Sequence, residues 1–284
     1  MVAVIVYKKS LWSLYGAAFA RRTLPRAQAR AWRVSHAEHA ATLTAVTRAL
    51  REAGIAHALR YRARLRPIRR AACIITIGGD GTFLRASHAV RQLPMFGVNS
   101  DPATSVGFFC CATRHTFRRQ LRAFLDGRLP VRRLTRLRAQ LNGRLLPELI
   151  LNECLLAHGN PAATSRYCLR VGGREETHVS SGLWIATPAG SSAAVRSAGG
   201  YALPLAARGF QFVAREPFVR GKRPVRLWRG RVPMRGQVDV LSLMADGRLY
   251  LDGPHSTYPF RWGDRAVFRA GEPLRVVGIS RYTG

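Results

Sequence analysis

The run CIITIGGDGTFLRASH, residues 73–88, constrains the fold more than any other stretch of the chain. Its first half is apolar and β-branched without alternation, which marks a strand buried on both faces, and such strands belong to parallel sheets covered by helices. Its second half has helical spacing, and a glycine cluster separates the two. VAVIVY (2–7) and MFGVNS (95–100) repeat the buried-strand texture, and IAHALRYRA offers a further strand. Around 35–53, in HAEHAATLTAVTRALREAG, Ala, Leu and Val recur at helical spacing until Gly54 supplies a stop. Strands alternating with helices imply a parallel sheet with helical crossovers.

From about residue 130 the texture changes. ELILNECLLAH, YCLRVGG, GLWIATPAG, VDVLSLMA and RLYLDG are short apolar runs punctuated by Gly, Pro and Asn, an all-β pattern. The expectation is an α/β N-terminal domain over 1–125, a parallel sheet with helices, joined near RAFLDGRLP to an all-β C-terminal domain over 126–284.

Charge sets the partners. Lys and Arg number 46 against 15 acids, a net +31 that draws any polyanion. Only Lys8, Lys9 and Lys222 are lysines, and the arginines run along the whole chain instead of forming one tract with interleaved aromatics. That argues against a nucleic-acid binder and leaves phosphorylated metabolites as ligands that feel the same field. No apolar run approaches the ~20 residues of a membrane-spanning helix. The N-terminus lacks the parts of a signal peptide, so a cytoplasmic protein without a membrane partner is expected. Cys73, Cys110, Cys111, Cys154 and Cys168 form no C-x-x-C pair and read as core thiols. His36 and His39, three apart, form no metal set and read as surface positions, and no metal ligands are assigned.

Three stretches carry chemistry. In IGGDGT, Gly78, Gly79 and Gly81 permit positive φ and let a phosphate approach the backbone, while a following helix offers free N–H groups. The lysine of a P-loop is missing. A carboxylate repels phosphate, so Asp80 faces a hydroxyl whose proton it takes, or a magnesium ion, as a kinase needs; the alternative is a plain turn after a strand. Asn152 and Glu153, consecutive in LNECLLAHG, suit sugar hydroxyls if they point inward, or form an edge-strand pair facing water. In GLWIATPAGSSAAVRSAGG, Ser191 and Ser192 could cap a helix and present donors among small residues that admit a flat ligand, or the segment is a structural turn.

Together these stretches resemble the NAD kinase family: GGDGT at Gly78 to Thr82, the Asn-Glu pair at Asn152 and Glu153, and the T-P-x-G-S-T-A segment with S-A-G-G at Thr187 to Gly200. Diacylglycerol and sphingosine kinases share only the first. The resemblance implies a C-terminal β-sandwich, a cofactor cleft between the domains, and a homodimer or higher homo-oligomer in which a neighbour completes the site. It implies ATP as donor with Mg²⁺, NAD(H) as substrate, and Asp80 as the base toward the adenosine 2′-hydroxyl. Gly78, Gly79, Gly81 and Thr82 would hold phosphates, with Arg85 beside them. Asn152 and Glu153 would take the ribose and adenine side, and Ser192, Ala193 and Ser197 the adenine, with Ser191 at the same segment. Asn99 and Phe108 would lie beside the dinucleotide, and Asp252 matches the family's D-G-Q in part.

Three departures from the family pattern are similar to the plant-type NADH kinase branch: Ser181-Gly182 where Asp-Gly is usual, Ala193-Ala194 where Ala-Tyr is usual, and NSDPATSVGFF in place of G-H-L-G-F. Oxidised nicotinamide carries a positive ring that the reduced form lacks, so losing a carboxylate near it favours NADH. An NAD⁺-preferring enzyme of the same family, or a lipid kinase, is the alternative. The chain after RVVGISRYTG leaves no room for a closing segment that returns to the first domain.

Overall fold

The computed structural model describes residues 2–19, 25–219 and 224–279. They form two compact units, one of the described residues up to Arg133 together with those from Leu274 onward, the other spanning Leu134–Pro273. No helix among the described residues is long and apolar enough to cross a membrane.

The first unit runs β1 (Val2–Tyr7), α1 (Leu11–Phe19), α2 (Arg26–Glu52), β2 (Ala56–Tyr61), β3 (Cys73–Gly78), α3 (Asp80–His88), β4 (Met95–Asn99), β5 (Cys110–Thr113) and α4 (Phe117–Leu125). Its strands pair in parallel in the order β2, β1, β3, β4, β5. Alternate residues explain why the apolar runs are unbroken. Ala3, Ile5, Cys73, Ile75, Ile77, Phe96 and Val98 pack with Val46, Ala49 and Leu50 of α2 and Phe117 and Leu121 of α4. The residues between them, Val4, Val6 and Ile74, are buried as well. Both faces of the sheet are therefore covered, as a crossover-built parallel sheet requires. Val276 pairs in parallel with Met95, so the expectation that no closing segment returns to the first unit is corrected. Residues 280–284 of that stretch lie outside the described ones, as does Lys222.

Two local expectations change. The long helix begins at Arg26, directly after Pro25, whose fixed φ suits the position that opens a helix. His39 is buried rather than on the surface, its Nδ1 2.9 Å from Ser100 Oγ, while His36 Nδ1 lies 2.8 Å from Ser10 Oγ. Burial lowers the His39 pKa, so the ring is held neutral.

The second unit is antiparallel: β6 (Val131–Leu141), β7 (Arg144–Ile150), β8 (Glu153–His158), β9 (Ser165–Val171), β10 (Arg174–Ser180), β11 (Gly182–Ala186), the short α5 (Ala194–Ser197), β12 (Phe210–Arg215), β13 (Arg229–Val232), β14 (Gln237–Ser242), β15 (Gly247–Leu251), β16 (Thr257–Pro259) and β17 (Arg265–Val277). One sheet has the order β13-β12-β11-β8-β15-β16, and β10-β9-β14-β17 form a second antiparallel series. A single core joins the two, with Leu156, Ile185, Phe212 and Leu249 from the first packed with Tyr167, Leu169, Val240 and Phe268 from the second. Two sheets closing on one apolar layer make a sandwich. All five cysteines are free thiols, buried or half-buried.

Candidate active site

In the first unit the glycine cluster forms the junction of β3 with α3. Asp80 is the first helical residue, so the D-G pair is not a turn, and the helix dipole favours a carboxylate there. The backbone N–H of Phe109 donates to Asp80 Oδ1 at 3.0 Å. Phe109 is itself fixed by stacking on Phe83, with ring centroids 4.9 Å apart, and Phe108 meets it edge-on. The carboxylate is thus oriented by a rigid aromatic stack, and the described residues give its Oδ2 no hydrogen bond.

The glycines act differently from the expectation. None of Gly78, Gly79 and Gly81 has positive φ. A Cβ on Gly78 would fall on Thr82 Oγ1 and 2.7 Å from Thr82 Cβ, so this glycine is required by close packing, whereas one on Gly79 would meet only the Ser105 side chain, chiefly its Oγ. Gly81 alone faces open space, its Cβ position 3.9 Å from Arg62 Nη1. Gly79, Asp80, Gly81 and Thr82 line a cleft of about 470 Å³ whose other wall carries Lys8, Lys9 and Arg62. Arg62 Nη1–H donates to Thr82 Oγ1 at 3.2 Å, and burial lowers the pKa of both Lys8 and Arg62. These three cations were not picked out from the sequence. Two of the chain's three lysines standing directly after the first buried strand was the available signal for Lys8 and Lys9; Arg62 had none. Gly78 ends β3 buried, and Arg85 lies half-buried in α3 outside the lining.

Asn99 is a scaffold side chain: its Nδ2–H donates to Ser105 O at 2.9 Å, and its Oδ1 accepts from the Asp101 N–H at 3.1 Å. It shapes the loop that carries Ser105 to the cleft and Phe108 and Phe109 to Asp80.

In the second unit Asn152 lies in a bend and Glu153 opens β8, which is central in its sheet between β11 and β15, so the edge-strand alternative falls. Asp252, at φ 50°, turns its carboxylate onto the bend and accepts from the N–H groups of Leu151 (2.8 Å), Asn152 (2.7 Å) and Glu153 (3.2 Å). Thr187 closes the other side, its N–H donating to Asn152 O at 2.8 Å and its hydroxyl to Leu151 O at 2.5 Å. A Cβ on Gly190 would strike the Asn152 backbone, which explains that glycine. Asn152 Oδ1 and Glu153 Oε2 are buried and find no hydrogen-bond partner among the described residues. Burial, then the charge of Asp252, pushes the Glu153 carboxyl up to about 8, so at neutral pH it carries a proton. The pair offers a ligand hydroxyl both acceptors and a donor, and buried polar atoms of this kind call for such a partner.

The serine segment forms a 3₁₀ turn, Ala189–Ser192, before α5, and neither serine caps a helix. Ser191 is buried, donating to Pro188 O at 2.7 Å and accepting from the Leu203 N–H at 2.9 Å, so its hydroxyl ties the turn to the loop after it. Ser192 is exposed and Ala193 half-buried. Ser197 alone of the predicted residues lines a cleft of about 620 Å³, with Trp184, Trp228, Arg215 and Glu216. Among the described residues no group of three or more His, Cys, Asp or Glu could hold a metal ion.

Comparison with known proteins gives the assignment. Residues 14–129 match the family model described as ATP-NAD kinase N-terminal domain. The chain is 36% identical over 230 residues to a protein named "Probable NADH kinase" from Oryza sativa subsp. japonica, covering 73% of this chain and 71% of that one. It is 33% identical over 246 residues to an NADH kinase of Arabidopsis thaliana, covering 75% and 74%. In fold it is similar to the crystal structure of yeast NADH kinase complexed with NADH, with a TM-score of 0.74 over 99% of this chain and 84% of that one at 15% identity. A glycine-flanked aspartate opening a helix, an Asn-Glu bend locked by a remote aspartate, and relatives at this identity over two thirds of their length lead to one conclusion: the chain belongs to the NAD kinase family and is an NAD(H) kinase.

Proposed function

We propose that the enzyme transfers the γ-phosphoryl group of ATP to the 2′-hydroxyl of the adenosine ribose of NAD(H), with a preference for NADH. The observation that carries the chemistry is Asp80, held through one oxygen by the Phe109 N–H while the described residues leave the other without a hydrogen bond, in a cleft walled by cations. Asn152 and Glu153 hold the ribose hydroxyls through their unpartnered buried oxygens, and Asp252 and Thr187 keep that pair in place. Asp80 takes the 2′-hydroxyl proton as the oxygen attacks the γ-phosphorus, and ADP leaves with the bond it breaks. Gly79, Gly81 and Thr82 steady the donor phosphates, with Gly78 packing Thr82 in position. Mg²⁺ enters as part of the donor, MgATP, since this small cation keeps most of its water and takes few protein ligands. Ser192, Ala193 and Ser197 line the adenine, Ser191 supports their turn, and Phe108, Asn99 and Arg85 flank the dinucleotide and its phosphates. A cytoplasmic homo-oligomer is part of the same proposal.

The NADH preference rests on Ser181, which stands where the family usually has a carboxylate, and on the plant NADH kinases among the relatives. Gly182 after it has φ 131° and its Cβ would meet Leu156 O, so the glycine of that pair is kept for its backbone while the acid is gone. Initial rates with NADH and NAD⁺ at matched concentrations and saturating ATP test the reading. A higher kcat/KM for NADH is expected. An equal or higher value for NAD⁺ removes the preference, and product phosphorylated elsewhere than the 2′ position removes the acceptor assignment.

A further inference from the structure

A cleft of about 700 Å³ in the second unit contains none of the residues assigned above. Three stretches meet there: the turn between β9 and β10, the end of β13 with the turn after it, and the start of β14. Four arginines line it, Arg170, Arg174, Arg231 and Arg235, against two acids, Glu175 and Asp239. Both acids are already neutralised. Glu175 pairs with Arg170, and Asp239 accepts from Arg265 Nε at 2.9 Å. Among the described residues Arg174, Arg231 and Arg235 stand in no ion pair, so the cleft keeps three uncompensated cations. Like charges converging on one cleft repel, and an anion lying between them relieves the repulsion. The turn between β9 and β10 puts no side chain in the way: Gly172 and Gly173 have φ of 58° and 76°, with open space where a Cβ would stand. Gln237 Oε1 accepts from Arg269 Nε at 2.9 Å, which leaves the amide N–H₂ of Gln237 as a further donor on the wall. The apolar lining is aliphatic, Val171, Val232 and Pro233, with no aromatic ring to stack on a base. Such a cleft selects phosphate groups and is indifferent to a nucleoside, and its volume is that of a small-molecule site.

Arg231 also belongs to a second arrangement. Its guanidinium stands over the Tyr201 ring at 4.7 Å, and Arg229 stands over the same ring at 4.7 Å while donating to Gly199 O at 2.6 Å. The buried Gln211 holds the Tyr201 backbone, accepting from its N–H and donating to its carbonyl, each at 2.8 Å. Tyr201 directly follows the segment that carries Ser197. An anion that draws Arg231 into the cleft removes one of the two cations from the Tyr201 ring and loosens that segment. We propose that this cleft is an effector site for a small anion with two or more phosphate groups, held by Arg174, Arg231 and Arg235, and that its occupation weakens dinucleotide binding through Arg231 and Tyr201. The site stands independently of the kinase reading; only its effect on the dinucleotide rests on it.

The test is calorimetry of inorganic tripolyphosphate on the full chain, with thermal unfolding as the folding control. Arg174 and Arg235 are exposed, so their replacement leaves the fold intact. The number of tripolyphosphate ions bound per chain falls by one in the double variant Arg174→Gln/Arg235→Gln, and each single variant weakens that ion's binding about tenfold, the loss of one charge-assisted contact. ATP shows the same loss, because the cleft contacts only its phosphates. A DNA duplex of about 20 base pairs is the polymer control. NADH affinity, followed by its fluorescence without ATP, falls about fivefold when tripolyphosphate saturates the parent, and the double variant does not show this fall. Unchanged stoichiometry and affinity for tripolyphosphate in the folded double variant overturn the site. Duplex binding that is tighter than that of tripolyphosphate and is lost in the double variant overturns the small ligand and makes this face a nucleic-acid surface. An equal effect of tripolyphosphate on NADH in parent and double variant overturns the link through Arg231. A parent chain that binds tripolyphosphate in an Arg174-dependent way yet binds no NADH would refute the kinase reading and leave the anion site standing.

Discussion

At the scale of single residues, the two acids Asp80 and Glu153 have opposite environments and are assigned opposite tasks. Asp80 sits at a helix N-terminus with a backbone N–H on one oxygen, which fixes the direction of its carboxylate. Asp80→Asn keeps an acceptor for the Phe109 N–H, so the fold should hold while the base is lost. We expect kcat to fall by about 10²- to 10⁴-fold with dinucleotide affinity within a few-fold; turnover above a tenth of the parent's would take the role away from Asp80. Glu153 is buried, and its carboxyl moves from an ordinary 4.5 up to about 8. Between those values the folded chain holds a proton that the unfolded chain has released. That contribution to stability is complete below about pH 4.5 and declines by up to about 1.4 kcal/mol per unit until it is gone near pH 8. Glu153→Gln is neutral at every pH. Its melting temperature should gain on the parent's steadily from pH 5 to pH 8, and a gap that ignores pH would mean the acid is solvated after all.

At the scale of elements, what could be read from the chain was whatever neighbours in sequence decide. β1, β3 and β4 fall on the apolar runs because strands buried on both faces leave no polar alternation to confuse them. The first half of α2 escaped because RAQARAWRVS is largely exposed and half of it is Arg, Gln and Ser, with no apolar stripe to reveal its period; only Pro25 announced it. The same division holds in the site. Asp80 and its glycines form one contiguous motif and were legible. That Asn152 leaves the strand was not, since the cause is the Asp252 carboxylate, 100 residues further along, drawing three backbone N–H groups into a bend. Ser191 and Ser192 looked like helix caps because caps are local; the Ser191 hydroxyl instead answers to Leu203. Lys8 and Lys9 were visible as a pair, but that Arg62 shares their cleft was not, since only the order of β2, β1 and β3 in the sheet brings it beside the glycine junction.

At the scale of the whole molecule, the net charge of +31 acts on every anion that approaches, whichever residues finally hold it. ATP and the dinucleotide are both anionic, so this field should raise the rate at which they arrive and leave the bond-making step to Asp80 and its neighbours. The ionic-strength dependence separates the two. Exposed charges are screened over about 8–10 Å near physiological salt, whereas partly buried contacts are screened far less. With sodium chloride raised from about 10 to 300 mM at constant pH, kcat/KM for ATP and for NADH should each fall about three- to tenfold, while kcat at saturating substrate moves less than twofold. The arginines responsible are spread along the chain, so replacing any one of those remote from the clefts should leave this salt slope nearly intact. If kcat fell in step with kcat/KM, salt would be acting on the site chemistry itself, and the excess positive charge would have to be part of catalysis instead of a means of collecting substrate.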